Sequence, residues 1–382
     1  MIGQILHGAR DAALPVIGRR LAVPSFEPDA VTLVMQPDHL GDILLSQPAV
    51  SLLRQSFPDD RLIALTGPWS VEIARLVWPV DDVIALDYPG FSRAGAGSIW
   101  EPYRQLGAER DQLLPLHARQ AVVLRPDAWW AAWLGRLVAR DVVGSAETRV
   151  TPFLTASAPL ENQVHAVERA YAIAARAVSG EVAPINWSTH PLSIQLSADD
   201  NAVGACRSFL NQRGIGDRYA VIHPGSGAPV KEWPVHRWRA VANALSAEGL
   251  SVIVTGSTSE VDLAGRVATG LPGVASIAGE TALQPLAAVL GGATLVLGCD
   301  SGPLHLAVAT GVPTIHLFGP SDPARYGPWG DPRNHRVVRA GWSCSRCGDL
   351  GLDRAAGCGC MLAIQADAVV DVAMELLRAS VA

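Results

Sequence analysis

Three short stretches of this chain combine strand ends, glycine and charge in ways that can hold an anion or move a proton. The run HPGSGAPVKEWP (residues 223–234) follows an apolar strand. Gly225 and Gly227 let backbone amides come close to an anion, His223 and Ser226 belong to the same turn, and Lys231 adds a mobile positive charge. An ordinary glycine-rich turn with a solvated lysine is the competing reading. The run GCDSGPLHLAVATGVPTIHLFGPSDPARYGPWG (298–330) delivers Asp300 at a strand end, and Ser301 or Gly302 then starts a helix with Pro303 near its first position. The open amides of such a helix start suit a diphosphate, Asp300 suits paired sugar hydroxyls, and His305 can reach a phosphate oxygen. Asp300 and Ser301 as plain helix caps, and His305 as a satisfied core histidine, are the alternatives.

The third run, QPDHLGDILLSQPA (36–49), sets Asp38 and Asp42 on either side of His39, with Gly41 giving a tight bend. Asp42 at a helix start is suited either to capping the helix or to removing a proton from an acceptor hydroxyl. Glu260, at the end of TGSTSE (255–260), sits where acidic residues of nucleotide folds bind ribose; the helix macrodipole explains it equally well. Finally, Cys344, Cys347, Cys358 and Cys360 in CSRCGDLGLDRAAGCGC can wrap a zinc or iron ion with four thiolates. The CxC spacing is tighter than in usual zinc knuckles, so a reduced structural loop or a redox-labile thiol set are rival readings.

These residues need a scaffold, and the hydrophobic pattern supplies one. Strand VTLVMQ (31–36), a loop followed by a helix within DHLGDILLSQPAVSLLRQSFP that Pro58 stops, strand RLIALTG, helix VEIARLV and strand DDVIALD alternate through the first 90 residues, as parallel sheets with crossover helices require. Periodicity fails from Tyr88 to Leu116, which reads as a long connection, and returns with AVVLRP, AWWAAWLGRLVA and DVVGS. Residues 178–197 carry Pro and Ser without helical period and mark a linker. Alternation then restarts from NAVGACRSFLNQRG through PTIHLFG, and the last helix, ADAVVDVAMELLRA, is free to pack on either half. The expected organisation is α/β with two Rossmann-like doubly wound domains facing a ligand cleft. The expected bounds are 1–30 for an N-terminal extension, 31–185 for the first domain, 186–365 for the second and 366–382 for the C-terminal helix.

Composition fits. The 382 residues are 49% hydrophobic and 17% charged, enough to fill two cores. A net charge of −6 without a basic run argues against nucleic acid as the partner. No signal-like segment and no stretch of about 18 uncharged apolar residues is read, so the expected compartment is the cytoplasm.

Together the three runs resemble glycosyltransferase family nine, the heptosyltransferases of the lipopolysaccharide inner core. The resemblance rests on DHLGDILLSQPAV with FP after it, on HPGSG with KEWP and Trp238, and on DSGPLHLAVATGVPTIHLFGPSDP with GPW. It implies a GT-B architecture with the acceptor on the N-terminal side and the nucleotide-sugar donor on the C-terminal side. It also implies inverting transfer with no cofactor required for catalysis. By position, Asp42 corresponds to the base, Lys231 to the donor-phosphate contact and Glu260 to the nucleoside contact. Asp300 and His305 correspond to the groups beside the donor sugar and diphosphate, while His39, Gly41 and Arg125 are acceptor-side candidates. The acceptor itself is left open between a glycan, a lipid-linked and a small-molecule compound, since Arg54, Arg61, Arg93, Arg104 and Arg125 are scattered rather than clustered. The segment ILHGARDAALPVIGRRL is expected to be a plain helical extension, with peripheral association at the inner face of the plasma membrane as the alternative. A non-hydrolysing sugar-nucleotide epimerase and a catalytically silent nucleotide-sugar binder are the rival functions.

Overall fold

The structure is a computed structural model and describes residues 2–91, 100–159, 164–178, 183–194, 200–341 and 358–379. The chain divides into two compact units, Met1–Asn186 and Trp187–Ala382.

The first unit is built on a six-stranded sheet of β1 (Asp29–Gln36), β2 (Arg61–Thr66), β3 (Asp82–Ala85), β4 (Ala118–Val123), β5 (Ala139–Ser145) and β6 (Ala156–Ala158). Its order is β3-β2-β1-β4-β5-β6, and every pairing is parallel. The second unit repeats the plan with β7 (Tyr219–His223), β8 (Ser251–Val254), β9 (Val274–Ser276), β10 (Leu295–Cys299), β11 (Thr314–Phe318) and β12 (His335–Arg339), ordered β12-β11-β10-β7-β8-β9. Read from the other edge and counted from β7, this is the same order as in the first sheet. In each unit the chain therefore reverses its winding between the first and fourth strands, β1/β4 and β7/β10. Ligands of open α/β sheets settle at the carboxyl ends of such strands. The central strands are apolar on both faces because helices cover both; all five residues of β7, β10 and β11 are buried.

Several expected elements differ. The one helix expected before Pro58 is two helices, Leu40–Leu45 and Gln47–Ser56, because Pro48 falls at the start of the second and breaks continuity at Ser46. The expected long connection contains a helix, Glu101–Leu113, whose buried positions are only Leu106 and Leu113, too few to show a period; residues 92–99 lie outside the described part. Strands β6 and β12 and the helix Ala166–Ala177 had no reading in the sequence.

The N-terminal extension is a helix, Ile2–Arg20, seated on the first unit. Leu14 is fully buried in that unit's core with Ile17 and Leu21 against it, and Gly18 passes so close to Pro152 that a Cβ there would lie 2.5 Å from its carbonyl oxygen. The final helix, Ala366–Ala379, packs on the second unit: Val369, Ala373, Leu376 and Leu377 join the core that contains Trp233 and Trp238. Among the described residues no helix is long and apolar enough to cross a membrane.

Candidate active site

At the β1/β4 switch point, β1 ends at Gln36 and the chain passes through Pro37 and Asp38 to His39, the residue that precedes the helix Leu40–Leu45. Asp42 is the third residue of that helix, so it is not the cap, and Gly41 is a helical residue rather than a bend. The turn is fixed through the carbonyl of Asp38, which accepts from Trp69 Nε1 at 3.1 Å and from Ser70 Oγ at 2.7 Å. His39 packs against Trp69 with ring centroids 5.2 Å apart. From the end of β4, Arg125 crosses to Asp38 (Nη1 to Oδ1, 2.6 Å) and also donates to Asp127. Asp38 is only 5% exposed. Burial pushes its carboxyl up, with Asp42 and Asp127 acting in the same sense and Arg125 and Arg169 opposing. This switch point therefore gathers three carboxylates around Arg125, and the helix Ala166–Ala177 adds a second guanidinium, Arg169.

The β7/β10 switch point carries a second set. β7 ends at His223, whose Nδ1 lies 3.1 Å from Thr255 Oγ; burial holds this imidazole below its ordinary range, with Glu260 partly opposing. The turn after it runs through Gly225, Ser226 and Gly227, and the Ser226 hydroxyl closes it by donating to the carbonyl of Ala228 at 2.6 Å. Lys231 ends the short helix Pro229–Lys231 and is not a solvated lysine: its Nζ lies 2.7 Å from Asp300 Oδ2, and its side chain is 19% exposed. The same oxygen of Asp300 accepts from Ser321 Oγ at 2.5 Å, while Oδ1 lies 4.0 Å from His305 Nε2. The helix Gly302–Ala309 starts immediately after, with Ser301 in the capping position and Pro303 at its beginning. Ser301 makes no side-chain cap; its Oγ is buried and has no hydrogen-bond partner among the described residues. Asp300 is likewise spoken for by Lys231 and Ser321, so the plain capping reading of DSGP does not hold for either side chain.

Glu260 has a structural role at the helix start. Its Oε2 accepts from the backbone N–H and hydroxyl of Ser257, a capping box for the helical segment that follows. Its Oε1 leans over Gly225, where a Cβ would come within 1.9 Å. Gly225 is thus required by the approach of Glu260, and the strand-end loop and the acidic residue form one surface. Ser321 is the residue that the sequence did not single out; it lies in FGPSDP directly after β11, and only the strand order places it beside Asp300.

Of the four cysteines, Cys344 and Cys347 lie outside the described residues. Cys358 precedes the short helix Gly359–Ala363, and Cys360 is buried in the second unit's core with its sulfur 3.3 Å from that of Cys358. Among the described residues no group of three or more His, Cys, Asp or Glu is placed to hold a metal ion.

Two parallel sheets of one order, each with its own switch point, are the plan of the GT-B fold. A model of glycosyltransferase family 9 (heptosyltransferase) matches residues 115–349, and the chain belongs to that family. It is similar to lipopolysaccharide heptosyltransferase 1 of Pseudomonas aeruginosa, 27% identical over 325 residues that cover 82% of this chain and 85% of the relative. It is also similar to lipopolysaccharide heptosyltransferase 3 of Escherichia coli K12, 27% identical over 299 residues covering 76% and 82%. Among solved structures, a family 9 glycosyltransferase of Veillonella parvula superposes with a TM-score of 0.70 at 20% identity, covering 91% of this chain and 97% of that one. Escherichia coli heptosyltransferase WaaC with ADP superposes at 0.68 with 22% identity, covering 91% and 99%. The chain is a glycosyltransferase with the family's fold.

Proposed function

We propose that this enzyme transfers a heptose from ADP-heptose to a hydroxyl of a lipopolysaccharide core acceptor, with inversion and without a metal ion. The relatives that match most of the chain are named for lipopolysaccharide heptosyl transfer, and a solved neighbour holds ADP. The observation that carries the reading is the β7/β10 switch point, where Lys231 (held by Asp300), the Gly225–Gly227 turn and the start of Gly302–Ala309 stand together at two adjacent strand ends. In this mechanism Asp42 takes the proton of the acceptor hydroxyl as its oxygen bonds to the anomeric carbon, and the bond from that carbon to the diphosphate breaks. The charge that develops on departing ADP is met by Lys231, His305, the turn amides and the helix start, which makes a divalent cation unnecessary. Glu260 takes the ribose hydroxyls and Asp300 those of the donor sugar. His223 and Ser226 shape the loop; His39, Gly41 and Arg125 line the acceptor side. Residue 42 therefore decides the chemistry but not donor binding. Asp42→Asn should lower turnover about 10²–10⁴-fold, the range for loss of a general base, and leave ADP affinity within about twofold. Full transfer by that variant removes Asp42 as base; release of an epimerised nucleotide sugar by the wild type in place of transfer removes the transferase reading. The acceptor being lipid-anchored, the enzyme would work at the inner face of the plasma membrane.

A further inference from the structure

Asp38 has a feature that neither the sheet nor the proposed base explains. Its side chain is 8% exposed and held on two sides. Oδ1 accepts from Arg125 at 2.6 Å, and the residue's own carbonyl is pinned by Trp69 and Ser70. Oδ2 is buried and has no hydrogen-bond partner among the described residues. Buried polar atoms are almost always satisfied, so an oxygen held rigidly and left without a partner needs a reason. This one stands at the carboxyl end of β1, at the switch point, one helical turn ahead of Asp42 in the chain. The charged groups that bear on it are Asp42 and Asp127, which repel an anion there, and Arg125 and Arg169, which favour one.

We propose that Asp38 is a positioning residue for the acceptor sugar, its Oδ2 hydrogen-bonded to a hydroxyl that neighbours the one deprotonated by Asp42. The inference rests on the reading of Asp42 as the base and adds a second contact with a polyol acceptor carrying vicinal hydroxyls. Burial pushes the Asp38 carboxyl up to about 8. At neutral pH Oδ2 accordingly carries a proton and donates it in a hydrogen bond to the acceptor oxygen, with Arg125 fixing the other oxygen. Above that pH the proton is lost and the contact loses its donor. Two carboxyls close in sequence then divide the work: one orients in its neutral form and the other takes the proton.

The test measures ADP release with ADP-heptose as donor and a lipopolysaccharide core lacking heptose as acceptor, for the wild type, Asp38→Ala, Asp38→Asn and Asp42→Asn, together with thermal unfolding and ADP binding. Asp38→Ala should raise the acceptor KM at least about tenfold, with a smaller change in kcat and ADP affinity within about twofold. Asp38→Asn, whose amide N–H replaces the acid O–H, should recover part of that loss and abolish the alkaline fall in kcat/KM near pH 8. An acceptor KM within twofold of wild type in Asp38→Ala, or the wild-type alkaline limb retained in Asp38→Asn, overturns the proposal. Equal loss in both Asp38 variants with a shared drop in Tm assigns the residue to the scaffold and overturns it too. Failure of the wild type itself to use this acceptor refutes the acceptor assigned above, and this inference with it. Full activity in Asp42→Asn refutes only the base.

Discussion

The Lys231–Asp300–Ser321 knot allows one prediction to be worked through. Lys231 is 19% and Asp300 8% exposed at the side chain, so removing the lysine leaves a buried carboxylate with only the Ser321 hydroxyl as neutral support. Breaking a buried pair by deleting one partner costs about 3–5 kcal/mol, and the partial exposure of Lys231 puts Lys231→Met at the lower end, about 3. For a unit of about two hundred residues this is a fall in Tm of roughly 6–12 °C. Asp300→Asn should cost less, about 1–2 kcal/mol, because the freed ammonium can turn to water while the amide still meets Ser321. The double variant should be more stable than the sum of the two losses by about 1–3 kcal/mol, the coupling expected for groups in contact. Ligand binding separates the same pair in sign. Lys231→Met should weaken ADP about 10–100-fold, as the loss of a charged hydrogen bond to phosphate implies. Asp300→Asn should leave ADP affinity unchanged or tighter, since Lys231 no longer has an internal competitor, and should weaken ADP-heptose, which alone offers sugar hydroxyls to Asp300. Urea unfolding and calorimetric titration with both ligands measure all four quantities. The reasoning is refuted if Asp300→Asn weakens ADP as much as Lys231→Met does, or if Lys231→Met is as stable as the wild type.

Three further outcomes follow from the geometry. Gly225→Ala should displace Glu260, whose carboxylate lies within 1.9 Å of the new Cβ; a stability loss of about 1 kcal/mol from the broken cap and at least tenfold weaker ADP binding by calorimetry are expected. Leu14→Ala should cost about 2–4 kcal/mol and expose residues 2–20 to limited proteolysis, because Leu14 is fully buried in the first unit's core. Stability should peak near pH 6.5: burial holds His223, His316 and His335 below their ordinary 6.5, so the unfolded chain binds protons that the native one refuses, and stability falls as pH drops through that value. Asp38 works in the opposite sense, keeping its proton up to about 8 when folded against 3.8 when unfolded, so its contribution declines as pH rises through that window and urea midpoints in Asp38→Asn should lose the decline above pH 6.5.

Much of the fold was legible because buried parallel strands are written as apolar runs: LVLGC, TIHLF and YAVIH are wholly buried and could hardly be anything else. The edge strand β12, sequence HRVVR, buries only His335, exposes Arg336, Val337 and Arg339 and carries two arginines, so its pattern is that of a polar surface segment. The helix Glu101–Leu113 escaped notice for a related reason: it buries two side chains in thirteen residues. At the candidate site the strand-end runs pointed to Asp42, Lys231, Asp300 and Glu260 by residue type and spacing, and the structure closes Lys231 onto Asp300. Ser321 and Asp127 did not announce themselves, because a serine or aspartate beside proline looks like turn punctuation until the strand order brings it to a partner.

What no local reading provides is pairing. Lys231 and Asp300 are 69 positions apart, and Asp38 and Arg125 are 87 apart, yet each pair is closed at 2.7 and 2.6 Å. Both contacts arise from the same topological fact, that the first and fourth strands of each unit are neighbours while the helices that follow them leave in opposite directions. A strand end there has room for a polar side chain that adjacent helices would otherwise cover, and a partner on the neighbouring strand end is within reach of it. The Lys231–Asp300 pair keeps either charge from standing alone in a buried setting, since an unpaired ion there would cost several kcal/mol, and Arg125 has Asp127 as its charged partner beside the neutral Asp38. In the proposed mechanism the pairing would also set the order of events: a diphosphate would win Lys231 from Asp300, and in doing so free a position on Asp300 Oδ2 for the donor sugar. A ligand with phosphate but no sugar can complete only the first half of that exchange, which is why ADP and ADP-heptose should respond with opposite sign to the loss of Asp300.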